Sequence, residues 1–124
     1  MILHAGITIY DEKDIEAFYR DLLGFAVERE FALESGLNRR LFGRGEEVPI
    51  TLLVRGGDRI ELFLAESRRR DDYAHLCVDV EDRELFLERI RAKGYPCTVI
   101  ERGGSPLVFV EDRSGNRFEI KQKA

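Results

Sequence analysis

The chain has little of what would make its function obvious. It contains two cysteines, two histidines, and no apolar run near the ~20 residues that a membrane-spanning helix needs. Cys77 and Cys97 lie far apart and form no C-x-x-C pattern. Two free thiols in an intracellular, cytoplasmic protein are the economical reading. Excess positive charge is also missing. Twenty Lys and Arg against 24 Asp and Glu leave a net charge of -4, which gives no electrostatic reason to expect nucleic acid or an anionic membrane as partner. Met1 to Gly6 offers neither the basic flank nor the length of a signal peptide. What is present, 44% apolar and 35% charged residues over 124 positions, fits one soluble domain able to bury a core without staples.

The chain also repeats itself. Gly57-Asp58-Arg59-Ile60-Glu61-Leu62 returns as Gly115-Asn116-Arg117-Phe118-Glu119-Ile120. His4 and His75 each open an apolar segment at the start of a half. In the first half Leu3, Ala5, Ile7 and Ile9 alternate with polar or small residues, which predicts a strand. Helical spacing of Ile15, Phe18, Tyr19, Leu22 and Leu23 follows, up to Gly24. Phe25 to Phe31, Ile50 to Val54 and Arg59 to Leu64 read as three further strands. Ser35 to Glu47 reads as a polar, mobile loop with a short strand at Arg39 to Phe42.

The second half repeats that order with a strand at Ala74 to Val80 and a helix carrying Leu85, Phe86, Arg89 and Ile90 that stops at Gly94. Strands at Cys97 to Ile100, Leu107 to Val110 and Arg117 to Lys121 complete it. The organisation expected is one domain over 1–124, with modules at 1–64 and 74–124 and a linker at 65–73. The run Arg68-Arg69-Arg70-Asp71-Asp72 in that linker reads as a solvated charge cluster.

Period-two alternation places His4, Glu61, His75 and Glu119 opposite the apolar faces of their strands. If the four strands curl into a shared cup, all four side chains point into it. Two neutral imidazoles and two carboxylates suit one divalent ion with positions left for water or substrate. Nickel, zinc, cobalt, manganese and ferrous iron all accept such ligands. The ion polarises a bound oxygen, and a carboxylate at its edge takes a proton from the neighbouring carbon, help worth roughly 10²–10⁴-fold in rate. The plain alternative pairs Glu61 and Glu119 with Arg117 and Arg59 as structural ion pairs. Thr8, Phe63 and Cys77 share the cup faces and are substrate-contact candidates. The competing role for Cys77 is a small buried filler.

Several stretches together resemble the vicinal oxygen chelate superfamily, which includes glyoxalases, bleomycin-resistance proteins and extradiol dioxygenases. They are Leu3-His4-Ala5-Gly6-Ile7, Phe18-Tyr19-Arg20-Asp21-Leu22-Leu23-Gly24-Phe25, Ala74-His75-Leu76 and Asp112-Arg113-Ser114-Gly115-Asn116-Arg117-Phe118-Glu119. The resemblance implies an α+β fold of two tandem βαβββ modules, a curved mixed-sheet cup with its helices outside. It implies metal ligands at His4, Glu61, His75 and Glu119, the same four residues. The His-Glu-His-Glu set is similar to that of glyoxalase I. It implies a lyase or isomerase acting on a small substrate, with Glu119 as the leading base, Glu61 as its partner and glutathione or another thiol as a co-substrate. It implies a homodimer as well. Two alternatives stay open: a non-enzymatic drug- or antibiotic-sequestering protein, and an epimerase acting on an acyl thioester.

Overall fold

A computed structural model describes residues 1–66 and 73–124. Contacts divide the chain into two compact units, Met1–Ser67 and Arg68–Ala124. The charge cluster at Arg68 to Asp72 lies outside the described residues.

The first unit holds strands β1 (Ala5–Ile9), β2 (Ala26–Leu33), β3 (Val48–Arg55) and β4 (Asp58–Leu64), in the sheet order β1-β4-β3-β2. β1 runs parallel to β4, while β3 is antiparallel to both its neighbours. A π-helix at Ile15–Arg20 connects β1 to β2. Its wide turns show in the bonds from the Asp21 N–H to the Glu16 carbonyl and from the Leu23 N–H to the Phe18 carbonyl. The consecutive residues Phe18 and Tyr19 are both fully buried, their rings edge-to-face. They share the buried set with Ile9, Leu53, Ile60 and Leu62. Gly24 ends this segment at φ 78°, a left-handed value that glycine adopts without strain.

The second unit repeats the plan with β5 (Leu76–Val80), β6 (Cys97–Ile100), β7 (Leu107–Glu111) and β8 (Arg117–Gln122), ordered β5-β8-β7-β6. Here the connection is an ordinary α-helix, α2 (Arg83–Ala92), which packs on β6 and β8 through buried Phe86 and Ile90. Asp82 caps its start by accepting the Leu85 N–H at 3.0 Å. The turn into β8 is organised by Asp112. This carboxylate is 2% exposed, and its Oδ1 accepts the N–H groups of Ser114 and Asn116 at 2.9 and 2.8 Å. Its Oδ2 accepts the Asn116 side-chain amide at 2.8 Å. A buried carboxylate satisfied by three donors fixes the entry of β8, and with it the position of Glu119. Two four-stranded mixed sheets with a crossover helix in each are the two βαβββ modules expected of the sequence.

The segment after β2 differs from expectation. Instead of a loop with a strand at Arg39 to Phe42, it forms the helix α1 (Ser35–Phe42). The Glu34 carboxylate accepts the Leu37 N–H at 3.0 Å, an N-cap contact from a residue that rarely supplies one. Gly43 closes the helix in the left-handed region at φ 73°. Buried Asn38 then holds the following turn, its Nδ2 donating to the Glu46 carbonyl at 2.8 Å. The polar composition that suggested a loop belongs to a short helix tied down by side-chain-to-backbone bonds.

Candidate metal centre

In the first unit the parallel register sets Gly6 beside Glu61 and Thr8 beside Phe63. Neighbours in register share a face, so Glu61 and Phe63 project to the inner side while Ile60 and Leu62 enter the core. His4 stands one residue ahead of β1, and its Nε2 is 2.7 Å from Glu61 Oε1. The imidazole is half exposed and the carboxylate largely covered. Leu52 lies opposite Glu61 on β3, and Ile50 lies opposite Phe63. Beyond them the inner face is apolar, with buried Leu33, Val48 and Ile50 packed against Phe31, Phe63 and Ala65. Phe42 of α1 meets Phe63 edge-to-face at 5.6 Å between centroids.

The structural ion pair expected of Arg59 takes another form. Its guanidinium grips Glu28 with two bonds, 3.0 and 3.1 Å. The Arg59 hydrogen bond holds the Glu28 carboxyl below its usual range, and the same bond raises Arg59. Glu61 stands against His4, and Glu119 against His75 and Lys121.

In the second unit His75 also precedes its strand by one residue. Its Nδ1 is 2.8 Å from the Tyr73 carbonyl. A carbonyl only accepts, so Nδ1 carries a proton, and in the neutral ring Nε2 is then the nitrogen with the lone pair. Nε2 lies 3.8 Å from Glu119 Oε1. Lys121, next on the same face of β8, holds Glu119 Oε2 at 3.0 Å. The Phe109 ring lies 5.4 Å from the His75 ring and pairs in register with Glu119. Pro96, Thr98, Phe109, Glu111 and Arg117 line a hollow of about 310 Å³ on this sheet. Cys77 is opposite Glu119 in register and exposed, which removes the buried-filler reading. Its thiol is pushed up, first by desolvation and then by the Glu119 charge.

The donors present suit a divalent ion. Two ligands at about 2.1 Å from a tetrahedral zinc stand about 3.4 Å apart. The two His–Glu separations, 2.7 and 3.8 Å, lie on either side of that value. Among the described residues no three His, Cys, Asp or Glu side chains gather as a metal-holding group, so each unit holds a pair. Sequence reasoning missed Lys121, Phe109, Tyr73 and Phe42. Lys121 was readable from its parity with Glu119, but the other three depend on register, a backbone carbonyl and an unforeseen helix.

A sequence profile described as Glyoxalase/Bleomycin resistance protein/Dioxygenase superfamily matches residues 1–120. No curated protein sequence matches the chain. Among solved structures, a glyoxalase family protein from Bacillus cereus is 20% identical, with a TM-score of 0.78 over 98% of this chain and 92% of that one. The trypanothione-dependent glyoxalase I of Leishmania major is 21% identical, with a TM-score of 0.76 over 98% and 86%. A mutant of the fosfomycin resistance protein FosX from Listeria monocytogenes, complexed with Mn(II) and a dihydroxypropylphosphonic acid, is 15% identical. Its TM-score is 0.74 over 100% and 93%.

Proposed function

The chain belongs to the Glyoxalase/Bleomycin resistance protein/Dioxygenase superfamily, and on that premise we propose that it is a divalent-metal-dependent lyase or isomerase of glyoxalase type. His4, Glu61, His75 and Glu119 would hold the ion, and a small substrate would reach it through two neighbouring oxygens. The observation that carries this reading is the doubled pair. Each module sets one imidazole Nε2 opposite one carboxylate Oε1 at the same place in its fold. Two protein donors alone make a weak site, whereas three or four are usual, so this reading requires both pairs to supply ligands. The ion, when bound, supplies the Lewis acidity that makes a carbon-bound proton beside a chelating oxygen removable.

Glu119 then moves that proton. Its Oε1 is turned toward His75 and its Oε2 is held by Lys121, so ligation and proton handling can be divided between its two oxygens. Glu61 is assigned the role of its partner carboxylate in that proton transfer. The Tyr73 carbonyl keeps His75 in the tautomer that offers Nε2. Thr8, Phe63 and Cys77 line the inner faces near the substrate. The metal identity among nickel, zinc, cobalt, manganese and iron is part of the test, as is glutathione or another thiol as co-substrate. A cytoplasmic homodimer belongs to the same proposal, with each centre supplied either by one chain or by modules of two.

Elemental analysis of the purified protein after dialysis against each metal decides first. About one ion per centre, lost in His4→Ala and in His75→Ala, supports the reading. Glu119→Gln should keep much of the metal and lose turnover, and undiminished turnover would remove the base role. Mixed His4→Ala and Glu119→Ala subunits should regain activity if centres are shared between chains; wholly inactive heterodimers would put each centre within one chain. A second reading draws on the short His4–Glu61 contact, which is an adequate hydrogen bond without any ion. Absence of metal binding under every condition would make the protein a sequestering member of the superfamily.

A further inference from the structure

The two carboxylates of the proposed centre have unlike neighbours. On the inner face of β8 the side chains run Arg117, Glu119, Lys121, and on that of β4 they run Arg59, Glu61, Phe63. Lys121 and Phe63 are therefore equivalent positions, each two residues past its glutamate. Lys121 Nζ lies 3.0 Å from Glu119 Oε2, and the carboxylate side chain is only 18% exposed. A charge-assisted contact to so well covered a carboxylate holds its geometry better than a pair in open water. The other oxygen, Oε1, is the one on the His75 side, 3.8 Å from Nε2. In the first module Phe63 offers no donor, and Glu61 Oε1 stands 2.7 Å from His4. Asp79 lies opposite Lys121 in register where the first module sets Thr8 opposite Phe63, so the charged row is particular to the second module.

We infer that Lys121 is a positioning residue for the proposed metal centre: by occupying Oε2 it confines Glu119 to a single donor oxygen, Oε1. The inference rests on the proposed centre and deepens it. A free carboxylate can close both of its oxygens on one ion. Oε2 has two lone pairs, and the ammonium uses one of them, which leaves the other to accept a proton. The same ammonium withdraws electron density from the ligand and repels a nearby divalent ion. Groups that raise the basicity of a ligand from behind tighten metal binding, and their loss typically costs about 10–100-fold. Lys121 acts with the opposite sign. Its removal should therefore tighten binding, whereas removal of a merely structural contact would loosen it or leave it alone. Glu61, with Phe63 at the equivalent place, is under no such restraint.

Cobalt(II) titration of the EDTA-stripped full chain, followed by visible absorption, tests this. Lys121→Met should bind cobalt about tenfold more tightly than the unaltered protein. The visible bands of the bound ion should also shift and weaken as a second carboxylate oxygen joins it. Lys121→Arg, which keeps the charge and the donor, should return both readings most of the way. Lys123→Met removes the same charge from the exposed Lys123–Glu81 pair and should change neither, which separates the contact from net charge. Weaker binding in Lys121→Met, or an affinity and spectrum like those of the unaltered protein, would overturn the role of Lys121 and leave the metal reading standing. Tighter binding shared by Lys123→Met would overturn it as well, in favour of net charge. No cobalt bound by the unaltered protein or by any variant would overturn the metal reading and this inference together.

Discussion

The two modules repeat one plan, and their differences fall on the inner faces. In the first, the row after the His–Glu pair is aromatic and partly roofed by α1, and the pair has closed to 2.7 Å. In the second, the corresponding row is charged, no helix stands between β6 and β7 among the described residues, and Lys121 draws on the carboxylate while His75 stays 3.8 Å away. The outer cores are conserved in kind, with Phe18 and Tyr19 in one module and Phe86 and Ile90 in the other. The repeat therefore keeps what makes each sheet fold and differs along the inner rows.

Four measurements sharpen or break that comparison. The largest effects should come from the outer cores, where the modules are alike. Phe18→Ala and Phe86→Ala should each lose about 3–5 kcal/mol in denaturant unfolding. Similar losses support equivalent cores, whereas one tolerant position would show that the modules carry unequal shares of stability. Next come the proposed ligands. His4→Ala and His75→Ala should weaken metal binding by equal factors, each beyond the about 10–100-fold seen for outer-shell partners. A large asymmetry between them would mean that one module binds the ion without the other.

A smaller loss belongs to the first module alone. Asn38→Ala leaves the Glu46 carbonyl without its donor at the end of α1 and should cost about 1–3 kcal/mol. Hydrogen exchange should quicken in residues 35–47 and not elsewhere. The smallest effect concerns Glu28 and Arg59. Glu28 is held below its usual pKa, so its contribution is present above the ordinary carboxylate range and fades as pH falls through the folded-state value. Glu28→Gln should lower Tm slightly at neutral pH and not at all in strong acid. A difference that persists in acid would show that the pair acts through packing rather than charge.

Much of this was readable from residue order. The repeat, the strand parity of Glu61 and Glu119, and the glycines at 24 and 94 predict both modules, because alternation and left-handed stops are local properties. The helix α1 was not readable. Its N-cap is a glutamate, and its surface is largely polar with exposed Leu37 and Leu41. The bonds that stabilise it reach from Asn38 and Arg44 to backbone carbonyls beyond it. His4 and His75 were expected on their strands and stand just before them, where rings have more freedom to turn. The Glu28–Arg59 pair also escaped, since it follows from a β2 irregularity between Val27 and Arg29 that no local pattern announces.

Gly6 carries a consequence for engineering. Its backbone is ordinary extended strand, so a side chain there meets no torsional objection; the obstacle is the Phe63 ring edge at 3.2 Å. Substituting alanine would nudge one aromatic ring by a few tenths of an ångström while leaving the backbone register of β1 with β4 alone. Position 6 therefore sets where the Phe63 ring can rest, through the presence or absence of a single carbon.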